Sequence, residues 1–214
     1  LFTYRKKGYT NKFEEWFPGL DIDALKLIVA ACSYVEKQPH QPPLIFIWGP
    51  TGSGKNFITS LAGEIIDSPT TYTPWKDNVE RLQQTVADTT SRLMVIDEAA
   101  KVKNISRYLN MLLSITINST YHKMYHGPTT IEKIPAIVLA DTQLPTNVRL
   151  DGQFARRFIE VRLESDGETL NWKHSPVLNG GSINGLRTRN QDFKNACDLF
   201  LSNLIDEYFE MDQD

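Results

Sequence analysis

The sequence predicts an α/β fold with a mainly parallel sheet flanked by helices. Three observations lead there: short apolar runs alternate with segments of helical period, a glycine-rich turn joins the first run to a helix, and a later run ends on two adjacent carboxylates. From Asp21 to Glu36, the residues Ile22, Leu25, Ile28, Val29, Cys32 and Val35 fall on one helical face, with Asp21 as the N-cap. Proline and glutamine break that pattern between Gln38 and Pro43. Leu44-Ile45-Phe46-Ile47-Trp48 then has the length and β-branched content of a buried strand. After the glycine turn, Phe57, Ile58, Leu61, Ala62 and Ile65 recur at helical spacing between Lys55 and Ile66.

Further along, Thr70 to Pro74 reads as an irregular link and Asn78 to Ala87 as a short helix. Arg92-Leu93-Met94-Val95-Ile96 is a second buried strand, and Asp97-Glu98 follow it directly. Ile105, Tyr108, Leu109, Leu112 and Leu113 mark another helix, and Tyr121 to Ile131 a hairpin turning at His126-Gly127-Pro128. A third core strand runs from Ala136 to Ala140, while Phe158 to Leu163 alternates apolar and charged residues as a strand with one exposed face does. Phe193, Ala196, Cys197, Phe200, Leu201, Leu204, Ile205 and Tyr208 make a final amphipathic helix.

Composition bounds the class. With 214 residues, 41% apolar and 23% charged, the chain has enough apolar content for one sizeable core and lies far from the disordered regime. No window of about 18 consecutive apolar residues exists, and the opening Leu-Phe-Thr-Tyr-Arg-Lys-Lys lacks the pattern of a signal peptide, so a soluble, intracellular protein with no membrane partner is expected. The two cysteines, Cys32 and Cys197, both sit on apolar helix faces and read as buried thiols. A formal charge of −3 argues against coating nucleic acid over the whole surface, although a local basic ring can still grip a phosphate backbone. Because the chain opens on Leu1 rather than Met, it reads as a piece of a longer polypeptide.

Gly49-Pro50-Thr51-Gly52-Ser53-Gly54-Lys55-Asn56 matches a phosphate-binding Walker A loop and stands between a strand and a helix, as that chemistry requires. Its glycines let successive N–H groups turn inward toward phosphate oxygens, and the helix beginning near Lys55 adds its positive end. Lys55 is expected to reach the β- and γ-phosphates of ATP. Asn56 replaces the usual serine or threonine that ligates Mg²⁺; its amide oxygen is a hard donor with a longer reach, which leaves open a site that binds nucleotide without rapid turnover. Asp97-Glu98 then supplies the Walker B pair, Asp97 for the Mg²⁺ shell and Glu98 to polarise the attacking water.

From Leu44 to about Leu163, a little over half its length, the chain resembles the superfamily 3 helicases, an AAA+ group of P-loop ATPases found in viral, phage and plasmid replication proteins. Beyond the two Walker motifs, the likeness rests on four segments. Asn104-Ile105-Ser106-Arg107-Tyr108-Leu109 is similar to a helix that carries an arginine reaching the nucleotide. Tyr121-His122-Lys123-Met124-Tyr125-His126 is similar to the hairpin that lines the pore of a hexamer, which gives Lys123 and His126 a nucleic-acid role; a solvated loop tip is the plainer alternative. Pro135 to Asp141 looks like the strand carrying the first sensor, with Asp141 where an asparagine is usual and Thr142 as its substitute. Phe154-Ala155-Arg156-Arg157-Phe158 looks like an arginine-finger segment, with Arg157 entering a neighbour's site or, failing that, pairing with Asp151 or Glu160 on the surface.

The resemblance implies a ring-forming homo-oligomer, most simply a hexamer, that uses ATP and Mg²⁺ to move on single-stranded DNA, with RNA as the alternative substrate. It also implies a host cytoplasmic or nuclear setting and a primase or origin-binding domain elsewhere in the polypeptide. A protein- or RNA-remodelling ATPase and a weakly hydrolysing assembly module stay open beside it. The expected division is an N-terminal helical segment over 1–40, the ATPase core over 41–165, and a C-terminal extension over 166–214. Arg5-Lys6-Lys7, Lys101 with Lys103, and Arg187 with Arg189 read most simply as solvated surface, with Arg187 or Arg189 as an alternative nucleotide sensor. Trp48, Trp75 and Trp172 read as packing residues.

Overall fold

The computed structural model describes residues 12–37, 43–74, 79–98, 105–115, 120–123, 127–145, 148–150, 152–164 and 172–211. Its first elements are α1 (Lys12–Trp16), α2 (Ile22–Lys37), β1 (Leu44–Trp48), α3 (Lys55–Ile65), β2 (Thr70–Pro74), α4 (Val79–Asp88), β3 (Leu93–Asp97) and α5 (Ile105–Ser114). A small antiparallel pair follows, β4 (Thr120–Lys123) with β5 (Gly127–Thr130), and then β6 (Ala136–Asp141), α6 (Gly152–Ala155), β7 (Phe158–Arg162), α7 (Leu186–Arg189) and α8 (Gln191–Met211). Asp21 does cap α2, its Oδ1 accepting the Ala24 N–H at 2.9 Å.

Five strands form one sheet in the order β2-β3-β6-β1-β7, and every pairing in it is parallel. This is the α/β architecture, a parallel sheet flanked by helices, that the alternation of strands and helices predicts. Parallel strands need a crossover between them, so helices cover both faces and the central strands are buried on both sides. The period of two assigns the side chains. Ile45, Ile47, Leu93, Val95, Val138 and Ala140 join one core with α2, α3 and α8, while Leu44, Phe46, Met94, Ile96, Ile137 and Leu139 join a second with α4 and α5.

The first of these cores runs through all three parts of the chain. It includes Phe13 and Phe17 from the N-terminal part, Ile58 and Leu61 from α3, and Trp172, Phe193, Cys197 and Phe200 from the C-terminal part. Phe13 meets Phe193 and Phe200 edge-on at ring separations of 5.9 and 5.4 Å. Both cysteines are free and buried as expected, and burial pushes each thiol up to about 12. No helix among the described residues is long and apolar enough to cross a membrane.

Two expectations need correction. Thr70–Pro74 is not a link but an edge strand, paired with β3 from Thr70↔Leu93 to Pro74↔Asp97. Threonine and tyrosine favour strands, and an edge strand has no need of the apolar run that marks a central one. In the hairpin, Lys123 pairs with Gly127, so Gly127 and Pro128 belong to the second strand rather than to the turn. The connection at 124–126 lies outside the described residues, and with it His126; Trp75 also lies outside them.

Candidate functional site

In parallel α/β sheets, ligands bind beyond the carboxyl ends of the strands, and here three such ends lie side by side. The register pairs Trp48 of β1 with Asp141 of β6, and Ala140 of β6 with Asp97 of β3. At the usual strand spacing, Asp97 is therefore about 10 Å across the sheet from the end of β1. An open cavity of about 640 Å³ lies above these ends, lined on one side by Thr51, Gly52, Gly54, Lys55 and Asn56 and on the other by Asp97, Glu98, Asp141 and Thr142.

The loop from Gly49 to Gly54 is shaped by its glycines. A Cβ on Gly49 would collide with the Leu163 carbonyl oxygen, because β7 leaves the sheet directly beside it. Gly52 and Gly54 adopt φ of 86° and 85°, in the left-handed region that favours glycine. The Gly49 N–H donates to the Asp141 carbonyl at 3.3 Å and the Ser53 N–H to the Pro50 carbonyl at 3.2 Å, while Ser53 itself is buried. Thr51 and Pro50 are exposed at the rim of the loop.

Lys55 opens α3, and its Nζ donates to the carbonyls of Gly49 at 2.7 Å and Pro50 at 2.9 Å, and to Ser53 Oγ at 3.3 Å. Burial lowers its ammonium below the ordinary lysine value, and the nearby carboxylates of Asp141 and Asp97 pull against that shift. Asn56 is exposed on the cavity wall; its carbonyl accepts from Thr59 Oγ1 and from the Tyr72 hydroxyl, both at 3.1 Å. Tyr72 stands on β2, so the strand absent from the sequence reading also buttresses the start of α3.

Asp97 and Glu98 are both exposed. Glu98 has φ of 61°, a left-handed conformation that is uncommon for a non-glycine residue and recurs at functional sites. Its N–H donates to the Ala140 carbonyl at 3.0 Å and to Asp97 Oδ1 at 2.9 Å, which fixes the backbone at the end of β3. Asp141 is only 5% exposed, and its Oδ1 accepts from the Thr142 N–H at 2.6 Å and from Thr142 Oγ1 at 3.2 Å. Asp141 pairs with Trp48, the last residue before the loop, Thr142 is one step further along the chain, and both line the cavity.

Asp97 and Asn56 offer hard oxygen donors to the same cavity, a set that fits Mg²⁺. Among the described residues no cluster of three or more His, Cys, Asp or Glu is arranged to hold a metal by itself. Mg²⁺ ordinarily takes one or two carboxylates and completes its shell with water and substrate phosphates, so the donor set suits an ion carried in with a polyphosphate.

Residues that sequence reasoning did not assign to the site complete it. Phe57, Trp172, Leu178, Gly181, Ser182 and Ile183 line the remaining side of the cavity. Trp172 lies 4.3 Å from the Phe57 ring and donates through Nε1 to the Pro18 carbonyl at 2.9 Å, so it is a packing residue that also faces the site. The sequence signal available was an aromatic in an otherwise polar stretch.

Other candidate residues lie elsewhere. Arg157 precedes β7, its carbonyl accepting the Leu44 N–H at 2.8 Å, which places it at the opposite end of the sheet from the cavity. It is half-buried beside Tyr34, and burial lowers its guanidinium from the ordinary value against the pull of that phenol; the adjacent Arg156 is exposed. Lys123 is the last residue of β4. Arg107 is exposed on α5. Arg187 is not solvated surface: its side chain is 11% exposed, and it bonds Asp198, the carbonyls of Glu64 and Ile65 at 3.3 Å, and Asp67 at 3.4 Å. With the guanidinium so engaged, a role as nucleotide sensor is set aside. Trp48, half-buried, donates to Glu160 at 2.9 Å and carries the Arg162 guanidinium 5.1 Å above its ring.

No protein-family model matches the chain, and no curated protein matches it. Solved structures do. One is a proline-to-glycine mutant of Thermotoga maritima RuvB, 15% identical over 72% of this chain and 49% of that one, with a TM-score of 0.44. Another is the Thermotoga maritima RuvB Holliday junction branch migration motor, 14% identical over 72% of this chain and 48% of that one, with a TM-score of 0.43. The chain thus spans about half the length of these structures.

Proposed function

We propose that the chain is an AAA+ ATPase of the superfamily 3 helicase kind, a ring-forming motor that hydrolyses ATP to move on single-stranded DNA. The observation that carries this reading is the convergence of Lys55, Asp97, Glu98 and Asp141 on one cavity at the carboxyl ends of parallel strands. The amides of the Gly49 to Gly54 loop and the start of α3 bind phosphate oxygens, and Lys55 holds charge against the transferring group. Glu98 accepts a proton from the attacking water, for which its exposed carboxylate beside the cavity is suited. Mg²⁺ held by Asp97 and Asn56 would neutralise charge on the phosphates. Arg157 of a neighbouring copy supplies the remaining positive charge, and Lys123 of the β4–β5 hairpin contacts the DNA backbone.

The test measures ATPase rate with and without single-stranded DNA, beside a mass measurement in nucleotide. A rate raised by DNA, together with a mass several times that of the chain, is expected. Lys123→Ala should weaken DNA binding and spare the basal rate. A rate indifferent to nucleic acid would favour a protein remodeller. Nucleotide binding without turnover would favour an assembly module, a second reading favoured by Asn56 at the metal position and the buried acid Asp141 beside the loop.

A further inference from the structure

The cavity carries two chemistries, and only one is accounted for by phosphate. Away from the loop and the carboxylates, the walls are Phe57, Trp172, Leu178 and Ile183, flat or apolar groups of the type that take a heterocyclic ring. Gly181 and Ser182 lie on the same wall, in a segment that turns sharply through Asn179 and Gly180 at φ of 46° and 76°. Both residues are exposed, and a short exposed turn keeps one shape only if its polar groups are tied down.

Arg189 ties them. Its Nη2 donates to the Ser182 carbonyl at 2.8 Å and to the Asn184 carbonyl at 3.2 Å, and its Nε donates to the Gly185 carbonyl at 3.2 Å. Three carbonyls around one planar, permanently charged fork is an arrangement a lysine cannot reproduce. The far end of the turn is fixed in its own way: the Glu64 carboxylate of α3 accepts the Gly185 N–H at 2.6 Å and the Arg187 N–H at 2.9 Å. The turn is therefore registered to the same helix whose first residue is Lys55. Arg189 does not itself line the cavity and acts through Ser182.

We propose that Arg189 is a positioning residue, clamping the 182–185 turn so that Gly181, Ser182 and Ile183 form the wall on which the base of the bound nucleotide lies. This rests on the reading of the cavity as a nucleoside triphosphate site. Calorimetric titration with Mg·ATP and with Mg·tripolyphosphate, which has the phosphates and no base, separates the two ends. Arg189→Ala should weaken ATP about tenfold, the worth of one net hydrogen bond to the wall, and leave tripolyphosphate within about twofold. Arg189→Lys, which keeps the charge and substitutes an exposed position, should fall between, and it carries the test if the alanine variant does not fold. Equal weakening of both ligands, or unchanged ATP affinity in both variants, overturns the clamp. If the unsubstituted chain binds neither ligand, the nucleotide reading itself fails and takes the clamp with it.

Discussion

At its charged end the cavity is made by one eight-residue loop and the ends of two neighbouring strands, whereas at its apolar end Phe57 meets a wall contributed by Trp172, 115 residues further on (172 − 57). The charged end is specified by backbone conformation: glycines at φ near 86°, a close approach of Gly49 to Leu163, and strand register. Each of its parts is a short contiguous run that needs particular residue types, so few substitutions are tolerated. The apolar end is specified by packing, in which many residues of similar size and polarity serve. Phosphate chemistry constrains sequence tightly, and a flat apolar ligand constrains only shape.

That contrast can be broken or sharpened by substitution. Lys55→Ala should abolish binding of both ATP and tripolyphosphate, a loss of roughly 100-fold or more for a charge-assisted contact in a partly buried site. Calorimetry reads it, and retained affinity would show that the charged end is not where the phosphates go. Glu98→Gln should leave ATP affinity in place and slow turnover by about 100-fold to 1,000-fold, the usual contribution of a general base, as measured by phosphate release. Gly49→Ala should cost about 1–3 kcal/mol of stability in a denaturant titration, because the added methyl meets the Leu163 carbonyl, and ATP binding should fall with it.

The smallest effect is on pH dependence. Burial lowers the folded-state value of Lys55, so the unfolded chain binds more protons between that lowered value and the ordinary one near 10.5. Stability from this group therefore rises as pH climbs through that window, and below it the desolvation penalty is fully present. Lys55→Met should remove this increment from the pH profile of the melting temperature. An unchanged profile would mean that the ammonium is better solvated than its contacts suggest.

The sequence was most legible where structure is local. The strand, glycine turn and helix from Leu44 to Ile65 are contiguous, and the Asp97-Glu98 pair ends a run of apolar residues. β2 was missed because Thr70, Thr71, Tyr72 and Thr73 carry no apolar pattern; pairing with β3 and bonds such as Thr71 Oγ1 to Ser91 Oγ at 2.6 Å define it instead. α1 gave no periodic signal in five residues, and it is held by Phe13 against rings from α8. The hairpin turn lies earlier than its sequence signal because Gly127-Pro128, a turn signal in isolation, pairs with Lys123 and His122 in a two-stranded ribbon whose strands are both edges. Arg187 reads as surface in the sequence because its acidic partners come from elsewhere in the chain, Asp67 from the turn after α3 and Asp198 from α8.

The two bonds that Glu64 accepts from the backbone at Gly185 and Arg187 bear on how the protein can be trimmed. Excising everything after residue 165 would leave that carboxylate with neither main-chain partner, strip the indole from the Phe57 ring, and take Phe193 and Phe200 from the Phe13 ring. A shortened chain would keep the eight-residue signature intact on paper while lacking one side of the vessel that signature serves.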